Sequence, residues 1–104
     1  MNNKILNYRK TAHFLYRQWD RGITDEQLIE ILKFCPDIKC NTLIIVSRKV
    51  LKQLGVKKDH ELFIKSNKAS LITCFFGSFQ NYLLNCKKRQ KYFIINSLAK
   101  NAKT

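Results

Sequence analysis

Acidic residues are missing from the whole C-terminal part of this 104-residue chain: all seven of them (Asp20, Asp25, Glu26, Glu30, Asp37, Asp59 and Glu61) lie between positions 20 and 61. With a formal net charge of +13, the chain projects a field that attracts polyanions and repels basic partners. Long apolar runs are missing too. No segment approaches the ~20 apolar residues of a membrane span, and the first ten residues hold no signal-peptide core, so the chain reads as soluble. Glycine is scarce, at three residues, and each falls where a turn is expected, which excludes a glycine-rich phosphate loop. Internal repeats, low-complexity blocks and linkers are absent. At 104 residues with 45% hydrophobic content, residues 1–104 fit one domain with a modest core.

Cysteine is present but not in the pattern of a disulfide framework. Cys35, Cys40, Cys74 and Cys86 sit among apolar residues, which suits buried, reduced thiols. Cys35 and Cys40 have a spacing that zinc sites use, yet no second Cys or His pair of suitable spacing accompanies them, so neither a metal nor another cofactor is expected. No cysteine shares a segment with a histidine, which argues against a thiol nucleophile.

What is present begins with helix signals. Thr11 is a good N-cap for a helix from Ala12, and Gly22 is placed to stop it in a left-handed conformation. On that helix Ala12, Leu15, Tyr16 and Trp19 recur at spacings of three and four and are expected to face the core. His13, Arg17 and Arg21 follow one another at intervals of four, which sets them on a single stripe at the edge of that face. Thr24-Asp-Glu-Gln27 reads as a capping box opening a second helix, with Leu28, Ile31, Leu32 and Cys35 inward and Pro36 preventing extension. Thr42–Ser47 is rich in β-branched residues and reads as a buried strand. Ser47 then caps a short helix over 48–54 that Gly55 ends. Strands over Glu61–Ser66 and Ser70–Phe76 should form an antiparallel hairpin across Asn67 and Lys68.

After Gly77, the spacing of Phe79, Tyr82, Leu83, Cys86, Phe93 and Ile94 suggests an amphipathic helix over 78–98. Lys87, Lys88, Arg89 and Lys91 form its basic face, and 99–104 form a frayed tail. The expected fold is therefore α+β: an N-terminal helix hairpin on a small antiparallel sheet of three to four strands, with a basic C-terminal helix.

The run His13, Arg17, Arg21-Gly22-Ile23, followed by the capped second helix, resembles the signature of a family of small bacterial proteins of unassigned function that share a His-x3-Arg-x3-Arg-Gly-Ile helix. That family ends on an apolar-Ile-Thr-apolar-aromatic strand, and Leu71-Ile72-Thr73-Cys74-Phe75 stands in the matching place. It is similar in turn to the toxin superfamily of barnase, the EndoU nucleases, the ribonuclease colicins and RelE. The resemblance covers residues 11–76 and implies N-terminal helices packed on a four-stranded antiparallel sheet.

It also implies metal-independent RNA cleavage by attack of the 2′-hydroxyl on the phosphodiester. His13 would act as base or acid, because imidazole ordinarily titrates near neutral pH. Arg17 and Arg21 would hold the scissile phosphate, and Thr73 would donate a hydroxyl to the same oxygens. Candidates for a second catalyst are His60, in a polar loop where a solvated histidine is the default, and Lys65 on the neighbouring strand. Lys87, Lys88, Arg89 and Lys91, with Tyr82, Tyr92 and Phe93 interleaved, read as an RNA-backbone track. The implied partners are RNA and an acidic inhibitor (antitoxin or immunity) protein. The implied site of action is the cytoplasm, reached directly or as part of a larger secreted toxin.

Other readings use the same residues. In one, His13 is an interfacial histidine packed against the sheet and Arg17 pairs with Asp20; in another, the same stripe and the C-terminal helix bind phosphates only, as a non-catalytic nucleic-acid-binding module; in a third, the charge serves an interaction with an acidic protein.

Overall fold

The computed structural model describes residues 4–35, 41–85 and 91–97. Two short strands come first, β1 (Lys4–Ile5) and β2 (Tyr8–Lys10), joined through Leu6 at φ 52. Helices α1 (Ala12–Arg21) and α2 (Asp25–Leu32) follow, then β3 (Thr42–Val46), α3 (Arg48–Gln53), β4 (Glu61–Asn67), β5 (Ser70–Gly77), α4 (Phe79–Asn85) and β6 (Lys91–Ile95).

Local chemistry fixes the helix hairpin. Thr11 Oγ1 accepts from the backbone N–H of Phe14 at 3.1 Å and donates to the carbonyl of Ile72 at 2.9 Å, so one hydroxyl both caps α1 and ties its start to β5. Gly22 ends α1 at φ 72, and Thr24 and Gln27 form a reciprocal capping box at the start of α2.

The sheet has six strands in the order β1-β2-β5-β4-β3-β6. Strands β3, β4 and β5 form the expected antiparallel core, but β2 joins β5 in parallel and β6 joins β3 in parallel. The fold is thus α+β with a mixed sheet, a correction to the antiparallel sheet of three to four strands. The basic C-terminal helix is corrected as well: α4 spans Phe79–Asn85 among the described residues, and Lys91–Ile95 is a strand. The run Tyr92-Phe93-Ile94-Ile95 has the aromatic and β-branched composition strands favour, and β3 offers its free edge to it.

Helices α1, α2 and α3 cover one sheet face. Phe14, Leu28, Ile31, Leu32, Val50 and Leu51 bury themselves there against Ile44, Val46, Leu62, Ile64, Leu71, Cys74 and Ile95. At roughly 1.5–3 kcal/mol for each large apolar side chain buried, this layer is the main stabilising element. The opposite face holds a smaller cluster of Leu43, Ile45 and Phe63 under Phe79 and Tyr82 of α4.

The structure corrects the orientation of α1. Its buried side chains are Phe14 and Gln18, whereas Trp19 is 67% and Tyr16 56% exposed. Apolar residues spread over about 200° of this helix, from Phe14 round to Tyr16 at 100° per residue, so spacing alone admitted two faces. Docking onto β5 selected the one that buries Phe14.

Candidate functional site

The turn of α1 decides what its cationic stripe meets. Successive steps of 100° place Arg17 and Arg21 between His13 and Phe14 on the helical wheel. Their burial follows that order, with His13 exposed, the two arginines half-buried and Phe14 fully buried. The stripe expected from sequence is therefore intact, running from solvent down to the edge of β5. Both guanidinium groups lie close enough to Cys74 to favour its thiolate, although burial dominates and pushes that thiol up to about 11.

Asp20 occupies part of the stripe. Its Oδ2 accepts from Arg21 at 3.1 Å and lies 4.0 Å from Arg17, as the pairing alternative supposed. Each guanidinium still has donors to spare, since it carries five N–H groups. Around the helix, Tyr16 and Trp19 stand in contact with ring centroids 6.4 Å apart, and the Arg17 guanidinium carbon lies 5.8 Å from the Tyr16 ring centre. Trp19 also borders a shallow cavity with Gly22, Thr24, Asp25 and Glu26.

Beneath this surface is a polar network that the sequence did not disclose. Lys10, only 3% exposed, places its ammonium 2.6 Å from Oδ1 of Asp25. Gln18 Nε2 donates to the same carboxylate oxygen at 2.7 Å and to the carbonyl of Ile23 at 3.0 Å. The network locks β2, α1 and α2 together beside the stripe. A lysine is solvated by default, and the only sequence signal for its burial is the alternation of Tyr8 and Lys10 about Arg9 in a strand too short to be recognised.

Other candidates are not brought to the stripe. Cys74 belongs to the helix-side core, so strand alternation turns Thr73 to the opposite sheet face. There Thr73 stands directly across from Lys65. Both therefore lie on the far side of the sheet from His13. His60 is remote along the strand: Thr11 bonds to β5 at Leu71 and Ile72, whereas Glu61 pairs with Gly77. The intervening residues of β5 span about 20 Å at ~3.3 Å each. A two-histidine acid/base pair is not assembled.

Of the expected RNA track, Lys91 opens β6. Lys87, Lys88 and Arg89 lie outside the described residues. On the far sheet face Phe75 and Tyr92 are exposed at the margins of an aromatic group in which Phe63 stacks on Phe75 at 5.1 Å.

Two further concavities carry charged side chains at their walls. One, of about 660 Å³, is bounded by α3 and the loop after it; Arg48, Lys49, Lys52, Lys57 and Lys58 line it, together with Asp59. A neighbouring groove shares Arg48 and Asp59 and holds His60. Among the described residues no group of three or more His, Cys, Asp and Glu side chains is placed to hold a metal. Cys35 and Cys74 are unbridged, and burial raises the Cys35 thiol to about 12; Cys40 and Cys86 lie outside the described residues. No helix among the described residues is long and apolar enough to cross a membrane. No family model matches the chain, and no curated protein or solved structure matches it at a significant level.

Proposed function

We propose that this protein binds single-stranded RNA through the outer face of α1, with Trp19 and Tyr16 stacking on bases and Arg17 and Arg21 taking phosphate oxygens. The observation that carries this reading is the exposure of Trp19 and Tyr16, 67% and 56%, beside a guanidinium and an exposed histidine. Such rings normally bury most of their surface in a folded domain. An aromatic pair left in water and edged by arginine is the composition used to hold unpaired bases and their backbone.

Trp19 is the single tryptophan of the chain, so intrinsic fluorescence reports the contact directly. Titration with a single-stranded RNA 12-mer is expected to quench it. Trp19→Ala is expected to weaken binding by roughly 1–3 kcal/mol, the usual contribution of one stacked base. Emission unchanged at saturating RNA would overturn this reading.

A ribonuclease of toxin type is the second reading, favoured by the exposed His13 one helical turn before Arg17. Under it His13 serves as the base for the 2′-hydroxyl or the acid for the leaving 5′-oxygen, Arg17 and Arg21 steady the phosphate, and an acidic inhibitor protein covers the stripe. RNA incubated with the protein in EDTA would then be cut into discrete fragments, and His13→Ala would abolish the cutting while leaving RNA affinity within about two-fold, because Arg17 and Arg21 keep the phosphate contacts. Intact RNA after prolonged incubation would leave the binding reading alone.

A further inference from the structure

We infer that the cavity between α3 and the loop 55–59 is a second contact for the same RNA, a site for its backbone phosphates; this rests on the nucleic-acid reading of α1.

The site is built by two local devices. On α3, Lys52 follows Lys49 by three residues and Arg48 by four, so it stands beside both on the helix surface. Gly55, at φ +84, then reverses the chain, and buried Val56 anchors the loop. Lys57 and Lys58 therefore return to line the same cavity of about 660 Å³.

Two of these cations have internal company. Arg48 Nε lies 3.6 Å from Glu61, and the Lys58 ammonium stands 5.5 Å from the centre of the Phe76 ring. Lys49, Lys52 and Lys57 are exposed and have no ion-pair partner among the described residues. Positive groups gathered around a concavity repel one another and focus their field into it, which is an arrangement completed by an anion.

The surroundings select among anions. Stable attachment to a membrane surface needs inserted apolar side chains besides cations, and a protein partner needs aromatic or aliphatic anchors at the centre of its contact. None of the exposed large hydrophobic side chains lies on α3 or on the loop 55–59. A backbone of regularly spaced phosphates needs only the cations. The cavity is also joined to the α1 surface through Gln27. Its Oε1 accepts from the backbone N–H of Thr24, which borders the Trp19 cavity, and its Nε2 donates to the carbonyl of Leu54, beside Gly55.

The test compares two triple variants with the unaltered protein. One removes cavity charge (Lys49→Gln, Lys52→Gln, Lys57→Gln). The other removes the same charge elsewhere (Arg9→Gln, Lys33→Gln, Lys68→Gln). All six positions are exposed, so both variants are expected to keep the melting temperature of the unaltered protein within a few degrees.

Affinity for a single-stranded RNA 12-mer is measured between 50 and 200 mM salt. The cavity triple is expected to lose at least about ten-fold in affinity and to flatten the log-log salt slope by about 2, at ~0.7 for each lost phosphate contact. The charge-matched triple is expected to change by less than about three-fold. Equal losses in the two variants, or no loss in the cavity triple, would overturn the site, while Trp19 quenching by RNA would still stand for α1.

If the unaltered protein fails to bind RNA, inorganic tripolyphosphate separates the two ideas. Tripolyphosphate binding lost in the cavity triple alone supports a phosphate site whose ligand is a free polyphosphate. Its absence, or its survival in that variant, overturns the site.

Discussion

Lys10 and Asp25 show how far one residue's environment can depart from the habit of its side chain. With the lysine buried and the carboxylate about one-third exposed, the two partners are unequal, and so are the expected costs of removing each. Asp25→Ala leaves a buried ammonium without its counter-charge and is expected to cost roughly 3 kcal/mol in urea unfolding, the low end for a broken buried pair. Lys10→Met keeps the packed stem and leaves a partly solvated carboxylate still bonded to Gln18, so its expected cost is under about 1 kcal/mol.

The same pair sets an acid response. Hydrogen bonds from Lys10 and then Gln18 hold the Asp25 carboxyl below its ordinary value of 3.8, against the opposing effect of burial. A folded-state pKa that is lowered gives stability that is complete above the ordinary value and is lost as pH falls through the lowered one. Melting temperature is therefore expected to fall below pH 4 more steeply in the unaltered protein than in Lys10→Met. The thiols titrate in the other direction: with Cys35 raised to about 12 and Cys74 to about 11 by burial, alkylation of either in the folded protein is expected to stay slow at pH 8. Peptide mapping after iodoacetamide treatment checks this, and denaturant should release both.

At the scale of the element, the glycines separate backbone conformation from space. Gly22 has open room around the position a Cβ would take, yet sits at φ +72. Gly22→Ala is therefore expected to cost roughly 1 kcal/mol through the left-handed backbone alone. Gly77 has no such φ, and an added Cβ would meet Phe63 at an ordinary 3.5 Å. Gly77→Ala is expected to stay within about 0.5 kcal/mol of the unaltered protein in the same urea measurement. The helix hairpin was legible in sequence because Thr11, Gly22, Thr24 and Gln27 each satisfy backbone groups within three or four residues of themselves. The facing of α1 was not legible, because the choice between burying Phe14 and burying Trp19 depends on β5, some sixty residues away. Strand β6 was missed for a related reason: its partner β3 lies about fifty residues earlier, and its apolar residues fit either periodicity.

At the scale of the whole molecule, the sheet is closed by strands from opposite ends of the described chain. β2 adds in parallel to one side of the central antiparallel three and β6 to the other. Removing residues 91–104 would strip Ile95 from the helix-side core and leave β3, which carries Leu43 to Val46, as an exposed apolar edge. Such an edge templates association, so the truncated chain is expected to aggregate, which light scattering during expression and refolding would show. The charge of +13 is likewise a property of the whole. The separate cationic surfaces on α1 and around α3 add to one field, and salt dependence reads that sum.

The sequence by itself determined the sign of that field, the α+β class, the capped helix hairpin, the three central strands and the stripe of His13, Arg17 and Arg21. All of these rest on composition or on interactions between residues a few positions apart. Tertiary structure alone decided that Trp19 faces water, that Lys10 is buried on Asp25, that Thr73 and Lys65 turn away from the stripe, and that the lysines of α3 and the following loop share one cavity. Those outcomes follow from which face docks and which strand pairs, and such long-range choices are made by the packing of the whole core.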